Sequence, residues 1–295
     1  MKKATTKKHR LPVPNPRIVA PHDTVNLGRE VFFGLTAEFN AEEYNAVLAS
    51  GQATVYHRVV MASKDGDWIV RETPQACHRI LDVLTARGAR YRPLSAPLDP
   101  KWLGGGWSSH LEYTLTPAGP DKMPYLIRCD FISRPTRVPQ KEIPRIFERA
   151  HRTGAIAVVD LESLIWLKQT RREKDYPIIG EIARRLPPEV EIWYSQDPSR
   201  IIELAPRYPT VTRACVQSAL RGESKRAIGL AIYAERLDYI EADEKRVRAY
   251  LTAGRDYFRA LRMADVPSMP LSQAHDEAIK IADALLPIRI PESGG

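Results

Sequence analysis

Two carboxylates one residue apart, Asp65 and Asp67, stand at the mouth of the apolar run Trp68-Ile69-Val70. Side chains at i and i+2 of a β-strand share a face, so in a strand the pair would stand side by side. Like charges that close are costly unless a cation lies between them. A hard divalent ion, Mg2+ or Mn2+, is the natural occupant, because it takes oxygen ligands and shares them with substrate phosphates. The same Lys64-Asp65-Gly66-Asp67 also makes a good hairpin turn, which needs no chemistry. Just upstream, a buried strand at 44–49 runs into Ser50-Gly51, a sharp turn, and then a short helix carrying Ala53, Val55 and Tyr56. Strand, glycine turn, helix and acidic strand make a compact site-building unit.

Three further residues carry possible chemistry. Asp130 lies in the strand-like stretch 124–133, where alternation sets Arg128 and Asp130 on one face and Cys129 and Phe131 on the other. A surface ion pair with Arg128 is its rival reading. Lys168 falls in a helix expected over 161–171, and Asp175 follows seven residues later, about two turns on, so the two share a face only if the helix is continuous. Asp175 would otherwise cap a new helix at Tyr176-Pro177. His57 and Arg58 read as helix-surface residues. Gly104-Gly105-Gly106 lacks the Gly-Lys-Ser/Thr ending of a phosphate loop and precedes a strand, so it reads as a flexible loop whose Trp107 could line a pocket.

The elements that must position these residues follow from periodicity. Leu27, Val31, Leu35 and Phe39 predict a helix over 26–39 with Asn26 as its cap. Thr73-Pro74 starts another, which stops at Arg87-Gly88. Strands at 110–116 and 124–133 are joined by a hairpin loop at 117–122, and a helix at 143–152 and a strand at 155–159 follow. Beyond Pro187-Pro188 a strand is expected at 190–194, then helices over 223–263, with Gly254 as a break, and 272–286. The fold class is therefore α/β, a mixed sheet flanked by helices with a mainly helical C-terminal domain. The expected divisions are a flexible basic arm at 1–25, a catalytic domain at 26–186 and a helical domain at 187–295.

Composition sets the outer bounds. With 295 residues and 43% hydrophobic content the chain can build a sizeable core, and no apolar run reaches the ~20 residues that span a bilayer. Cys77, Cys129 and Cys215 are widely separated, which suggests neither disulfides nor a zinc site and makes the cytoplasm the default. The net charge of +8, with Lys2, Lys3, Lys7, Lys8, His9 and Arg10 in the arm, favours phosphate-bearing partners.

Taken in order, Ser50-Gly51, Asp65-Gly66-Asp67, Asp130, Leu164-Ile165-Trp166-Leu167-Lys168 and Arg172-Glu173-Lys174-Asp175 resemble the nucleotidyltransferase superfamily, most of all its abortive-infection-type (AbiEii-like) toxin members, over residues 27–186. The resemblance implies transfer of a nucleoside monophosphate from a nucleoside triphosphate to an acceptor hydroxyl: an RNA end such as tRNA, or a protein. It implies metal ligation by Asp65, Asp67 and Asp130, phosphate binding by Ser50, Gly51 and Lys168, and an orienting role for Asp175. A cognate antitoxin would be the protein partner. Two departures stand out: Ser50 replaces the first glycine of the usual turn, and Gly66 replaces an apolar residue between the acids. The rival classes are a non-catalytic nucleotide- or protein-binding module of the same fold and a basic nucleic-acid-binding protein.

Overall fold

The computed structural model describes residues 22–116 and 123–291, with side chains described from Glu30 onward. Of the arm expected at 1–25, residues 1–21 lie outside the described residues, as does the hairpin loop 117–122; residues 22–25 belong to the first helix, which starts at His22, so Asn26 lies inside it and does not cap it. The first half comprises α1 (His22–Phe39), β1 (Ala46–Ala49), α2 (Ser50–Tyr56), β2 (Asp65–Val70), α3 (Pro74–Thr85), β3 (Arg90–Tyr91), α4 (Pro100–Leu103), β4 (Ser109–Leu115) and β5 (Tyr125–Ile132). After these come α5 (Ile143–Arg149), β6 (His151–Thr153), β7 (Ile156–Val158), α6 (Leu161–Lys168) and α7 (Asp175–Ala183). The remainder is helical: α8 (Pro188–Tyr194), α9 (Pro198–Leu204), α10 (Ala214–Leu220), α11 (Lys225–Ala253), α12 (Arg255–Met263) and α13 (Leu271–Leu285).

The strands form one mixed sheet in the order β3-β4-β5-β2-β1-β7-β6. β1 is buried along its whole length, as a strand covered on both faces must be. It runs antiparallel to β2 and parallel to β7, while β2 is parallel to β5 and β5 antiparallel to β4. The α/β class expected from the sequence is the one observed.

Pleating divides β2 between two environments. Trp68 and Phe131 stack at 5.3 Å on the face covered by α1, where Phe39 meets Trp68 edge-on at 5.3 Å, and the Trp68 indole N–H donates to Thr36 Oγ1 at 2.9 Å. Asp65 and Asp67 point to the other face. Gly66 shares the apolar face, and a Cβ there would lie 2.4 Å from the Trp68 ring and 2.5 Å from that of Phe32. The departure from an apolar residue thus has a packing cause: Trp68 occupies the volume that a side chain at 66 would need.

One expected element is wrong. Residues 190–194 lie in α8, a helix and not a strand. Pro188 at its first turn, Glu189 and Glu191 near its N-terminus, and the backbone bond from Glu191 N to Pro187 O at 2.8 Å favour the helix, and a short apolar run carries no period strong enough to oppose them. Gly254 does separate α11 from α12.

The helices beyond Pro187 serve two cores. Ile192, Ile201, Leu204, Val216, Ile228 and Ile232 form a small cluster among α8 to α11. Tyr257, Phe258, Leu271 and Ala278 instead join the large core that contains the sheet. The run Gly104 to Gly106 is not a free loop: Ile290 N donates to Gly105 O at 3.1 Å, and a Cβ on Gly105 would collide with the Ile288 carbonyl. Trp107 is a core residue, packed on Tyr250 at 4.8 Å and donating to Pro287 O at 2.8 Å. Among the described residues no helix is long and apolar enough to cross a membrane.

Gly66→Ala is expected to lower stability by about 1–3 kcal/mol, because two buried rings must move to admit one methyl group. Urea unfolding measures this, and an unchanged midpoint would show that the rings give way freely.

Candidate active site

Asp65 and Asp67 lie inside β2, not in a turn, so the two carboxylates do share the polar face of the sheet. Strand register then arranges that face in rows. Asp65 is opposite Arg128, which is opposite Glu112; Asp67 is opposite Asp130, which is opposite His110. The first row alternates in sign, with Arg128 at 3.9 Å from Asp65 and 3.7 Å from Glu112. The second places two acids directly across from each other, which is destabilising by itself.

The electrostatic consequence falls on Asp67, whose carboxyl is pushed up to about 7, first by burial, then by the Asp130 charge, against which the nearby Lys168 ammonium acts. Asp130 is compensated. Its Oδ1 accepts from Arg92 Nη1 and His110 Nδ1, both at 2.8 Å. The ion pair weighed for Asp130 is therefore made with Arg92; Arg128 turns to Asp65 and Glu112.

Lys168 and Asp175 meet, although not by helical spacing. Helix α6 stops at Lys168 and not at 171, the chain turns at Gln169, and α7 begins at Asp175. Both side chains are buried, with Lys168 Nζ 3.5 Å from Asp175 Oδ1. Thr170 Oγ1 donates to Asp175 Oδ2 at 3.0 Å, and Arg172 Nε lies 2.9 Å from the same oxygen. Asp175 is thus the anchor of this turn and makes no cap bond to α7. Burial pushes the Lys168 ammonium down, opposed mainly by Asp175.

At the turn after β1, Ser50 adopts φ of 46°, the left-handed region that suits glycine. The missing side chain of Gly51 is equally constrained: Ser63 Oγ lies 2.0 Å from where a Cβ would be. His57 Nε2 lies 2.8 Å from Val159 O, so this half-buried residue ties α2 to the end of β7.

Ser50, Asp67, His110 and Asp130 line a cleft of about 240 Å³ together with Trp166, Arg137, Arg172, Arg246 and Asp243, the last paired with Arg246 at 3.2 Å. Sequence reasoning missed Arg92, His110, Arg137 and Arg246. His110 had a signal, since an antiparallel hairpin closing on the 117–122 loop brings it close to Asp130. The Arg246 position had none, because it depends on how α11 crosses the sheet.

Strand pairing brings Asp65, Asp67 and Asp130 to one face of adjacent strands, Asp67 directly opposite Asp130. Among the described residues no three His, Cys, Asp or Glu side chains are grouped so as to hold a metal ion. The donor set itself fits a hard cation: carboxylate oxygens on adjacent strands, with Asp67 pushed up by burial and by its negative neighbours.

No protein-family model matches the chain, and no curated protein matches it in sequence. Two solved structures from Helicobacter pylori are similar in shape. One, described provisionally as a nucleotidyltransferase, is 11% identical with a TM-score of 0.39, covering 74% of this chain and 96% of its own. The other, JHP933, is 11% identical with a TM-score of 0.41, covering 78% and 97%. Identity this low leaves the chemistry to be read from the site's own side chains.

A carboxyl whose folded pKa lies above its unfolded value of 3.8 stabilises the fold below that value, and the contribution is lost as pH rises through about 7. In EDTA, Asp67→Asn is therefore expected to stabilise the protein at pH 8 by on the order of 2 kcal/mol and to give no gain at pH 4. Equal urea midpoints at pH 8 would contradict a penalised Asp67 charge. Asp175→Ala is expected to cost about 3–5 kcal/mol, since it strands a buried Lys168. A loss below about 1 kcal/mol would mean that water solvates that lysine.

Proposed function

We propose that the chain is a metal-dependent nucleotidyltransferase that moves a nucleoside monophosphate from a nucleoside triphosphate to an acceptor hydroxyl. The observation that carries this reading is the second row of the polar face: Asp67 directly opposite Asp130 in a cleft that Arg137, Arg172 and Arg246 also line, with Asp65 on the strand of Asp67. A fold that pays for opposed acids and lines the same cleft with Arg137, Arg172 and Arg246 is suited to a polyphosphate accompanied by a divalent ion.

Bound Mg2+ or Mn2+ would supply Lewis-acid charge to the phosphoryl oxygens. Asp65, Asp67 and Asp130 would hold it, Asp130 on the side of the acceptor. In the transfer the acceptor oxygen bonds to the α-phosphorus as the bond to the β-phosphate oxygen breaks; pyrophosphate leaves, and Asp130 takes the acceptor proton. Lys168, held between Asp175 and Asp67, keeps a positive charge next to the acids, while the arginines of the cleft orient the phosphates. The turn at Ser50 and Gly51 would close the phosphate end of the cleft.

The acceptor we favour is an RNA end, tRNA included, because the net charge is +8 and the cleft is lined by three guanidinium groups. Membership of the abortive-infection-type toxins, with a cognate antitoxin, is the finer form of the same proposal.

The test is incubation of the purified chain with each α-labelled nucleoside triphosphate, Mg2+ or Mn2+, and either bulk RNA or a protein extract. Label is expected on RNA, and Asp65→Asn/Asp67→Asn should lower transfer by roughly a thousandfold or more. Equal labelling by the variant would remove the acids from the mechanism. Label on protein would replace the acceptor, and nucleotide binding without transfer would make the chain a binding module.

A further inference from the structure

We infer that Arg92 and His110 are positioning residues that fix Asp130 by one carboxylate oxygen, leaving the other for the metal ion. The inference rests on the nucleotidyltransferase reading and concerns how this chain builds its third acid.

Both groups act on the same atom. Arg92 Nη1 and His110 Nδ1 each lie 2.8 Å from Asp130 Oδ1. An ionised carboxylate only accepts, so His110 carries its hydrogen on Nδ1. A carboxylate held twice at one oxygen has lost its torsional freedom, and Oδ2 becomes the oxygen free for a ligand.

The two holders are themselves held. Arg92 N donates to His110 O at 2.9 Å, which locks the end of β3 to β4, and His110 N donates to Ser95 Oγ at 2.8 Å. Between Arg92 and Ser95 the chain passes through Leu94, a non-glycine residue with φ of 66°. Such a conformation is disfavoured for a residue with a side chain and persists only where its surroundings over-determine it. Here Tyr250 of α11 supplies the restraint, its hydroxyl donating to Leu94 O at 2.9 Å. Backbone strain is thus stored two residues from the guanidinium that grips Asp130.

A ladder of opposite charges completes the frame. Asp65 meets Arg128 at 3.9 Å, Arg128 meets Glu112 at 3.7 Å, Glu112 meets Arg92 at 3.6 Å, and Arg92 meets Asp130 at 2.8 Å. Asp65 and Asp130 are therefore joined through the sheet, on either side of Asp67. A purely structural role for pairs this exposed would add little to stability and would leave metal affinity untouched.

Mn2+ titrated into the full chain and followed by electron paramagnetic resonance separates the two roles. Wild type is expected to bind, and Asp67→Asn is expected to lose binding. Arg92→Met and His110→Leu should weaken Mn2+ by about 10–100-fold. His110→Asn, whose amide N–H replaces Nδ1–H, should stay within about threefold of wild type. If Arg92→Met does not fold, Arg92→Lys is measured in its place; it keeps the charge, loses the fork, and should also weaken binding. Wild-type affinity in the Arg92 and His110→Leu variants, with binding lost in Asp67→Asn, would overturn the positioning role and leave the enzymatic reading intact. Wild type that binds no Mn2+ would overturn the metal reading and this inference together.

Discussion

Two acids that face each other across parallel strands, Asp67 and Asp130, are the constraint to which the rest of the molecule answers. Register alone brings them there, and register is set on the opposite side of the same strands, where Trp68, Phe131 and Phe39 interlock beneath α1. A slip of one residue would send the carboxylates into that aromatic core and the indole into the cleft. The apolar face therefore fixes the polar one, and Gly66 is the concession that lets both exist at full packing density.

The repulsion is handled unequally. Asp65 and Asp130 have been given cations, whereas Asp67 is left at the floor with only the partly committed Lys168 nearby. Lys168 is shared with Asp175, buried, and held at the joint between α6 and α7. The arrangement places an unsatisfied negative charge at one known spot and brings positive charge up to its border. Polar centres of this kind stabilise little and specify much.

Much of this was legible from residue order. Strict alternation identified β5 and its two faces, the strand, glycine turn and helix unit at 46–56 stood out, and the caps of α3 and the break at Gly254 followed from single residues. The acids declared themselves by spacing. What the chain order concealed was anything made by contact between distant segments. Lys168 and Asp175 seemed to need a continuous helix, yet a turn closed by Thr170 and Arg172 does the same work. Residues 190–194 looked like a strand because their apolar run is too short to show a period, and prolines and glutamates decided the matter. Arg92 gave no local sign at all; its role depends on a bend at Leu94 that a helix more than a hundred residues away holds in place.

The seat at Gly105 has a further meaning in time. The last described strap of the chain, around residues 287 to 290, lies against Gly105 and covers the indole N–H of Trp107, and Trp107 packs on the tyrosine that restrains Leu94. Synthesis delivers the acids first and this strap more than 150 residues after the last of them. The sheet can assemble early, but the bend that steadies Asp130 is complete only when the closing segment has been made and docked. Competence of the site would then be coupled to translation through residue 290, so that nascent fragments ending short of the strap carry every acid and still lack the fully braced centre.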